Sequence, residues 1–407
     1  MKKMKKEYDV IVVGAGPGGG QCARNLAKLG IDVLLVERHA SFYDNNFSSA
    51  GMSMEGFHEF NLPESVIGRY WKNFTLQTTT EIVSWKGEQN KGVVLDFAKL
   101  RQYLADECIK YGGDVLMGYT YTSKEMLEDG VLANFKGKES KEVVSIKAKL
   151  LVDATGPARK VIYDSRDDQP KMDLSVGVEY MIKVNDEVYD RFKDDLFFFL
   201  GNKWSFKGYS WIFPMDDNVL KVGTGKILVK ENDEASETLK QITERIIAEY
   251  MEVDSYELID IHGGSVRTTK DMSEDFFNER VVAIGDAISA INPLGGEGIR
   301  YALRSADYVT EHAKNFIKHN KNTFKKYRKN WKRKHLFTWK LCFFLTETVY
   351  HKYSDEQLDY KVKKYHSLVD IDQIVDILFE FKFTKMRARL VSYAWSRIKQ
   401  KFNKTTA

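Results

Sequence analysis

The chain has 407 residues, 43% of them hydrophobic and 29% charged, with 62 Lys+Arg against 58 Asp+Glu. That length holds about two or three structural units and buries a sizeable core, which excludes disorder and a disulfide-stapled mini-fold. The cysteines Cys22, Cys108 and Cys342 form no CxxC pair, so no metal site and no disulfide framework is expected, which fits a reducing cytoplasm.

The first apolar run, Val10–Val13, is too short for a secretory signal and reads as a buried parallel strand. Residues 19–29 carry helical spacing through Ala23, Leu26 and Ala27, and Ile31–Val36 is a second β-rich run. Gly14, Gly16 and Gly19 fall on the turn between strand and helix. The first permits a tight turn, the second lets a pyrophosphate approach the backbone, and the third lets helix and strand pack closely. Free N–H groups at the helix start then face the phosphates. Glu37 ends the second strand, where its carboxylate can hold both ribose hydroxyls, and Arg38 follows it at the nucleotide site. The acid disfavours a 2′-phosphate. The motif alone does not separate FAD from NAD.

Residues 149–159 form another apolar strand, closing on Asp153 and Gly156. In the stretch 208–214, Tyr209, Trp211 and Phe213 alternate, so on a strand their rings share one face. That face is either sheet core or a wall for a long apolar ligand. Residues 280–300 place a strand end at Gly285 and a carboxylate, Asp286, at its carboxyl edge, where it can hold a ribityl hydroxyl. Pro293, Gly295, Gly296 and Gly298 make a loop with few side chains, against which a flat ring can lie. A helix starting near Ile299 would aim its positive end at a reduced flavin. In the order Gly14–Gly19, Asp153–Gly156 and Asp286–Gly298, three motifs point to FAD.

The three motifs resemble those of the para-hydroxybenzoate-hydroxylase-type flavoproteins, a superfamily of hydroxylases, halogenases, cyclases and geranylgeranyl reductases. The resemblance implies an α/β fold: a Rossmann-like FAD-binding domain interleaved with a mixed β-sheet substrate domain, plus a helical C-terminal region. The expected division gives 1–80, 92–172 and 265–315 to the FAD-binding domain, 173–264 to the substrate domain and 316–407 to the C-terminal region. No second GxGxxG follows, so electrons are expected from an external donor such as NADPH, ferredoxin or another protein.

Within the superfamily, Tyr209–Pro214 is similar to the YxWxFP signature of geranylgeranyl reductases. Gly177–Tyr180 with Glu179, Gly263-Gly264 and Arg333–Leu336 resemble further segments of that family. Two positions depart from it. Ala50 stands where the family often has a cysteine near the flavin. Phe97 stands where it usually has a cofactor-supporting arginine, with Arg101 one turn later as a substitute. The implied reaction is saturation of isolated double bonds in a polyprenyl chain, with hydride from flavin N5 and Tyr209, Trp211 and Phe213 lining the pocket. Tyr209 is the leading proton-donor candidate, with His58 and His262 behind it.

The C-terminal quarter is basic: residues 311–335 hold ten Lys/Arg against Glu311 alone, and residues 381–407 hold eight with no acid. Aromatic residues interleave both stretches: Phe316, Phe324, Tyr327 and Trp331, then Phe381, Phe383, Tyr393, Trp395 and Phe402. This suggests a peripheral protein on the inner face of an anionic membrane; no nucleic-acid motif accompanies the charge. Leu336–Leu345 is too short to span a bilayer. The rival readings are a flavin-dependent monooxygenase or halogenase, whose catalytic lysine has no evident counterpart, and a non-catalytic isoprenoid-binding or redox-sensing flavoprotein.

Overall fold

The computed structural model describes residues 5–44, 46, 48–228 and 237–383. Strand Glu7–Val13, buried from Val10 onward, pairs in parallel with Val33–Glu37 on one side and Val143–Asp153 on the other. Asp114–Met117 and Val281–Ala283 extend the sheet outward in parallel, and Phe277–Asn278 closes one edge. Val131–Gly137 and Tyr119–Met126 form an antiparallel flap on the first half of Val143–Asp153.

Helix Pro17–Lys28 lies close to two others, Phe97–Lys110 and Ile299–His319. Its consecutive glycines make this possible. A Cβ on Gly18 would stand 3.3 Å from the Ala302 carbonyl oxygen, and one on Gly20 would press on Leu104 at 2.8 Å.

The second sheet has seven strands in the order Glu257–Thr268, Asp173–Lys183, Val219–Leu228, Gly208–Pro214, Asp195–Phe199, Asn73–Gln77 and Ile82–Trp85. All neighbours are antiparallel except Asn73–Gln77 beside Asp195–Phe199, so the sheet is mixed. Residues 73–85, read from sequence as the end of the first FAD segment and an unassigned stretch, lie in this second sheet. The parallel pairing is pinned at its start, where Thr75 Oγ1 and Asn73 Nδ2 donate to Asp195 at 2.6 and 2.9 Å. Gly51–Ser53, Gly92–Leu95 and Ile67–Trp71 form a third, three-stranded antiparallel sheet.

The C-terminal region divides its packing. Helix Phe324–Thr346 packs against the core of the first sheet and buries Phe324, Tyr327, Trp331, His335, Trp339 and Cys342. Helices Asp355–His366 and Ile371–Leu378 cover the strands of residues 73–85: Thr79 Oγ1 donates to Asp355 at 2.6 Å and Trp85 Nε1 to the Val369 carbonyl at 2.9 Å. The expectation that aromatic residues among the lysines face a membrane is corrected for those described. Phe324, Tyr327, Trp331, Phe381 and Phe383 are buried and Phe316 is half-buried against the core. Burying one such ring contributes about 1.5–3 kcal/mol to the fold. Tyr393, Trp395 and Phe402 lie outside the described residues. No helix among the described residues is long and apolar enough to cross a membrane.

Candidate functional site

The turn after the first strand has the dimensions of a phosphate cradle. Gly14 has a φ of +104°, and a Cβ there would overlap the Ala154 carbonyl oxygen; a Cβ on Gly19 would overlap the Gly14 carbonyl. Around Gly16, the N-cap of the helix, nothing lies within 4 Å of a Cβ position. The backbone is pressed tight everywhere except where a diphosphate would enter. Glu37 is buried at the end of its strand and accepts the N–H of Ala15 at 2.9 Å and of His39 at 3.1 Å. Arg38 turns outward and donates to His39 Nε2 at 3.1 Å. Arg101 is buried, donates to the Phe42 carbonyl, and lies over the Phe97 ring at 4.6 Å. Desolvation lowers its pKa, against the pull of Glu37 and Asp44.

Asp153 works through its loop. Its carboxylate accepts both groups of Thr155, N–H at 2.9 Å and hydroxyl at 2.7 Å, and the N–H groups of Val161 and Ile162 at 2.9 and 2.8 Å. Four bonds saturate it, so it shapes the 154–162 loop around Gly14, with Gly156 in open space at a φ of +67°. Arg159, which sequence reasoning passed over, is fully buried. It donates to the Ala287 carbonyl at 3.1 Å and Ser289 Oγ at 2.7 Å and pairs with Glu274 at 3.7 Å. It thereby ties this loop to the turn Gly285–Ile288.

Asp286 is different. It is half-buried and its carboxylate has no hydrogen-bond partner among the described residues. Burial pushes it up to about 6 despite the opposing charge of Arg159. A desolvated carboxylate beside an open glycine loop suits a hydroxyl donor. The loop itself is held by three hydroxyls on three successive carbonyls: Thr346 on Pro293 at 3.0 Å, Tyr350 on Leu294 at 2.9 Å and Tyr209 on Gly295 at 2.8 Å. Thr346 and Tyr350 come from the C-terminal region, which the sequence reading left out of the site. Gly296, at a φ of +67°, and Gly298, the N-cap of Ile299–His319, complete the loop. Arg300 in the first turn is fully buried and paired with Glu297 at 2.8 Å and Glu380 at 2.6 Å.

The aromatic strand meets this loop through the Tyr209 hydroxyl, whose proton is committed to Gly295 and whose pKa is raised by burial to about 12. Tyr209 is thus a loop support. Trp211 lies over Gly223, where a Cβ would overlap its ring, and its indole N–H donates to Glu179 at 2.7 Å. Phe213 is buried against Leu196 and Gly51. Phe198 joins the wall, 5.8 Å from Tyr209 and 5.1 Å from Phe213. His58 is exposed on the helix Met54–Glu59, whereas His262 reaches Glu179 at 3.1 Å. Lys221, opposite Phe213 in register, is buried and donates to the Ser48 carbonyl at 2.8 Å. Ala50, in the same 48–51 segment, is buried with a φ of +55°.

Residues 7–321 match the FAD binding domain family. The chain is 28% identical over 322 residues to the digeranylgeranylglycerophospholipid reductase of Haloferax volcanii, covering 74% of each chain. It is 28% identical over 312 residues to that of Methanocella arvoryzae, covering 74% of this chain and 76% of the relative. Its fold is similar to a geranylgeranyl bacteriochlorophyll reductase-like protein from Thermoplasma acidophilum, with a TM-score of 0.78, 23% identity and coverage of 94% and 99%. The chain belongs to the FAD-binding domain family and is an FAD-dependent oxidoreductase, similar to the digeranylgeranylglycerophospholipid reductases.

Proposed function

We propose that this protein saturates isolated carbon–carbon double bonds of a polyprenyl chain carried on a lipid or a diphosphate. The observation that carries this reading is the aromatic wall joined to the glycine loop by the Tyr209–Gly295 bond. When bound, reduced FAD supplies the hydride from N5. Gly14, Gly16 and the start of Pro17–Lys28 take its pyrophosphate; Glu37 and Arg101 serve the nucleotide end. Asp286 takes a ribityl hydroxyl, and Gly295–Gly298 receives the flat ring. An isolated trisubstituted alkene is a poor hydride acceptor because no carbonyl withdraws electron density. Protonation must accompany hydride transfer and leaves positive charge on a tertiary carbon, which Trp211, Tyr209 and Phe213 shield from water and stabilise through their π-faces.

The reading extends to location. The exposed face of Phe324–Thr346 carries Lys326, Arg333, Phe337 and Phe344 together. Each basic side chain near an anionic leaflet contributes about 1 kcal/mol, enough in combination for reversible adsorption on the cytoplasmic side. Electrons then come from an external donor.

The test is mass spectrometry of lipids incubated anaerobically with chemically reduced protein, offering geranylgeranyl phospholipid and geranylgeranyl diphosphate. Products heavier in steps of two hydrogens are expected, and the preferred head group names the pathway. Unchanged lipid with bound, reducible flavin overturns the proposal. Buried Lys221 on the aromatic face favours a second reading, a monooxygenase or halogenase, which the same assay in air with halide present detects as added oxygen or added halogen.

A further inference from the structure

The reaction proposed above consumes one proton per double bond inside a pocket that must stay dry. Four adjacent strands supply a route. Trp211 is in register with Gly223, Gly223 with Glu179, and Glu179 with His262, so the four residues form one row across the sheet on the aromatic face. Because Gly223 has no side chain, the indole can reach across its strand to Glu179. On the other side His262 Nε2 lies 3.1 Å from Glu179 Oε1, and His262 Nδ1 lies 3.0 Å from Asp260 Oδ2. Side-chain exposure rises along this chain from 1% at Glu179 through 8% at His262 to 48% at Asp260. A wet Asp260 side chain, a shielded imidazole and a dry Glu179 side chain are thus hydrogen-bonded in sequence from the sheet edge to the wall.

We infer that Asp260, His262 and Glu179 form a proton relay that carries solvent protons to the aromatic pocket, with Glu179 as the terminal acid. The inference rests on the prenyl-reductase reading. In one turnover the alkene π pair breaks. One carbon takes the hydride supplied by the reduced flavin, which is left oxidised, and its neighbour takes a proton through Glu179, whose carboxylate accepts it from the His262 imidazolium and passes it on. The resulting carboxylate is reprotonated by His262, which recovers a proton from solvent through Asp260. The charged groups facing Glu179 are His262 from the outer strand and Lys221 from the strand between, with Tyr209 beyond them on the aromatic strand. Burial works against a charged His262, but Glu179 and Asp260 outweigh it and raise its pKa above the usual 6.5. The imidazole therefore keeps a transferable proton near neutral pH.

The test combines single turnovers of the reduced, lipid-loaded holoprotein with histidine NMR of the lipid-free protein. Glu179→Gln keeps an acceptor for the Trp211 N–H but has no proton to give. It is expected to slow flavin oxidation by the lipid by about 100-fold or more, leaving flavin content and lipid retention intact. Glu179→Asp recovers part of the rate. His262→Asn slows turnover by about 10-fold and flattens its pH profile, and the His262 titration moves down in Glu179→Gln. If both amide variants turn over at the wild-type rate with an unchanged pH profile, the relay is wrong while the reductase reading stands. If Glu179→Asp is as slow as Glu179→Gln and the His262 titration is unmoved, Glu179 is structural and the relay is again overturned. An inert wild-type protein removes both proposals.

Discussion

Asp286 and Gly223 show how much one side chain, or the lack of one, decides at this site. With its pKa raised from 3.8 to about 6, Asp286 holds its proton longer in the folded than in the unfolded chain. The stability of the flavin-free protein therefore falls as pH rises from about 4 to 6, and the penalty is complete above that range. Asp286→Asn is expected to melt higher than wild type at pH 8 and to match it at pH 4, while binding FAD more weakly. Thermal melts across pH with a flavin titration check both halves. Gly223→Ala would drive a methyl into the Trp211 ring. Overpacking of this kind costs about 1–3 kcal/mol. The larger effect will be on chemistry, with lipid reduction lowered at least about tenfold and flavin content unchanged, as read by product mass and flavin absorbance.

At the scale of elements, what could be read from sequence was what is local. The strand–turn–helix around Gly14, Gly16 and Gly19 is contained in thirty residues, and so is the run from Gly285 to Ile299. The row Trp211–Gly223–Glu179–His262 was not legible, because register between strands is decided by the sheet and not by neighbours in sequence. The same holds for Asn73–Gln77, whose parallel partner lies more than a hundred residues on. The basic helix is a different case. Phe324, Tyr327, Trp331, His335 and Trp339 recur every three or four residues, which is the spacing of a buried stripe, but the intervening lysines drew the reading outward. Closing this helical region, Glu380 meets Arg300, whose guanidinium is wholly buried. Glu380→Ala leaves that charge with Glu297 as its carboxylate partner and is expected to cost about 3–5 kcal/mol, whereas Glu380→Gln, which still accepts the hydrogen bond, costs less. Thermal unfolding separates the two.

For the whole molecule, charge and exposed aromatics share one helix face while the wall faces inward, so the proposed adsorption and the proposed chemistry are expected to separate by mutation. Phe337→Ser with Phe344→Ser is expected to reduce sedimentation with anionic vesicles several-fold. Turnover of a lipid presented in detergent micelles will be unaffected. A charge-only mode of binding would leave sedimentation unchanged and show a steep loss with salt instead.

The Tyr209–Gly295 hydrogen bond makes the proposed ligand wall and the proposed cofactor loop share a fastener. Two ligands that meet through one fastener are thermodynamically linked, and linkage is mutual. Whatever factor a bound prenyl chain imposes on flavin affinity, flavin imposes on the chain. If that factor differs between oxidised and reduced flavin, lipid occupancy shifts the midpoint potential and the enzyme accepts electrons on different terms when loaded. Tyr209→Phe cuts the fastener and keeps the ring. In that variant the potential measured with and without lipid will converge, a signature obtainable from redox titration alone.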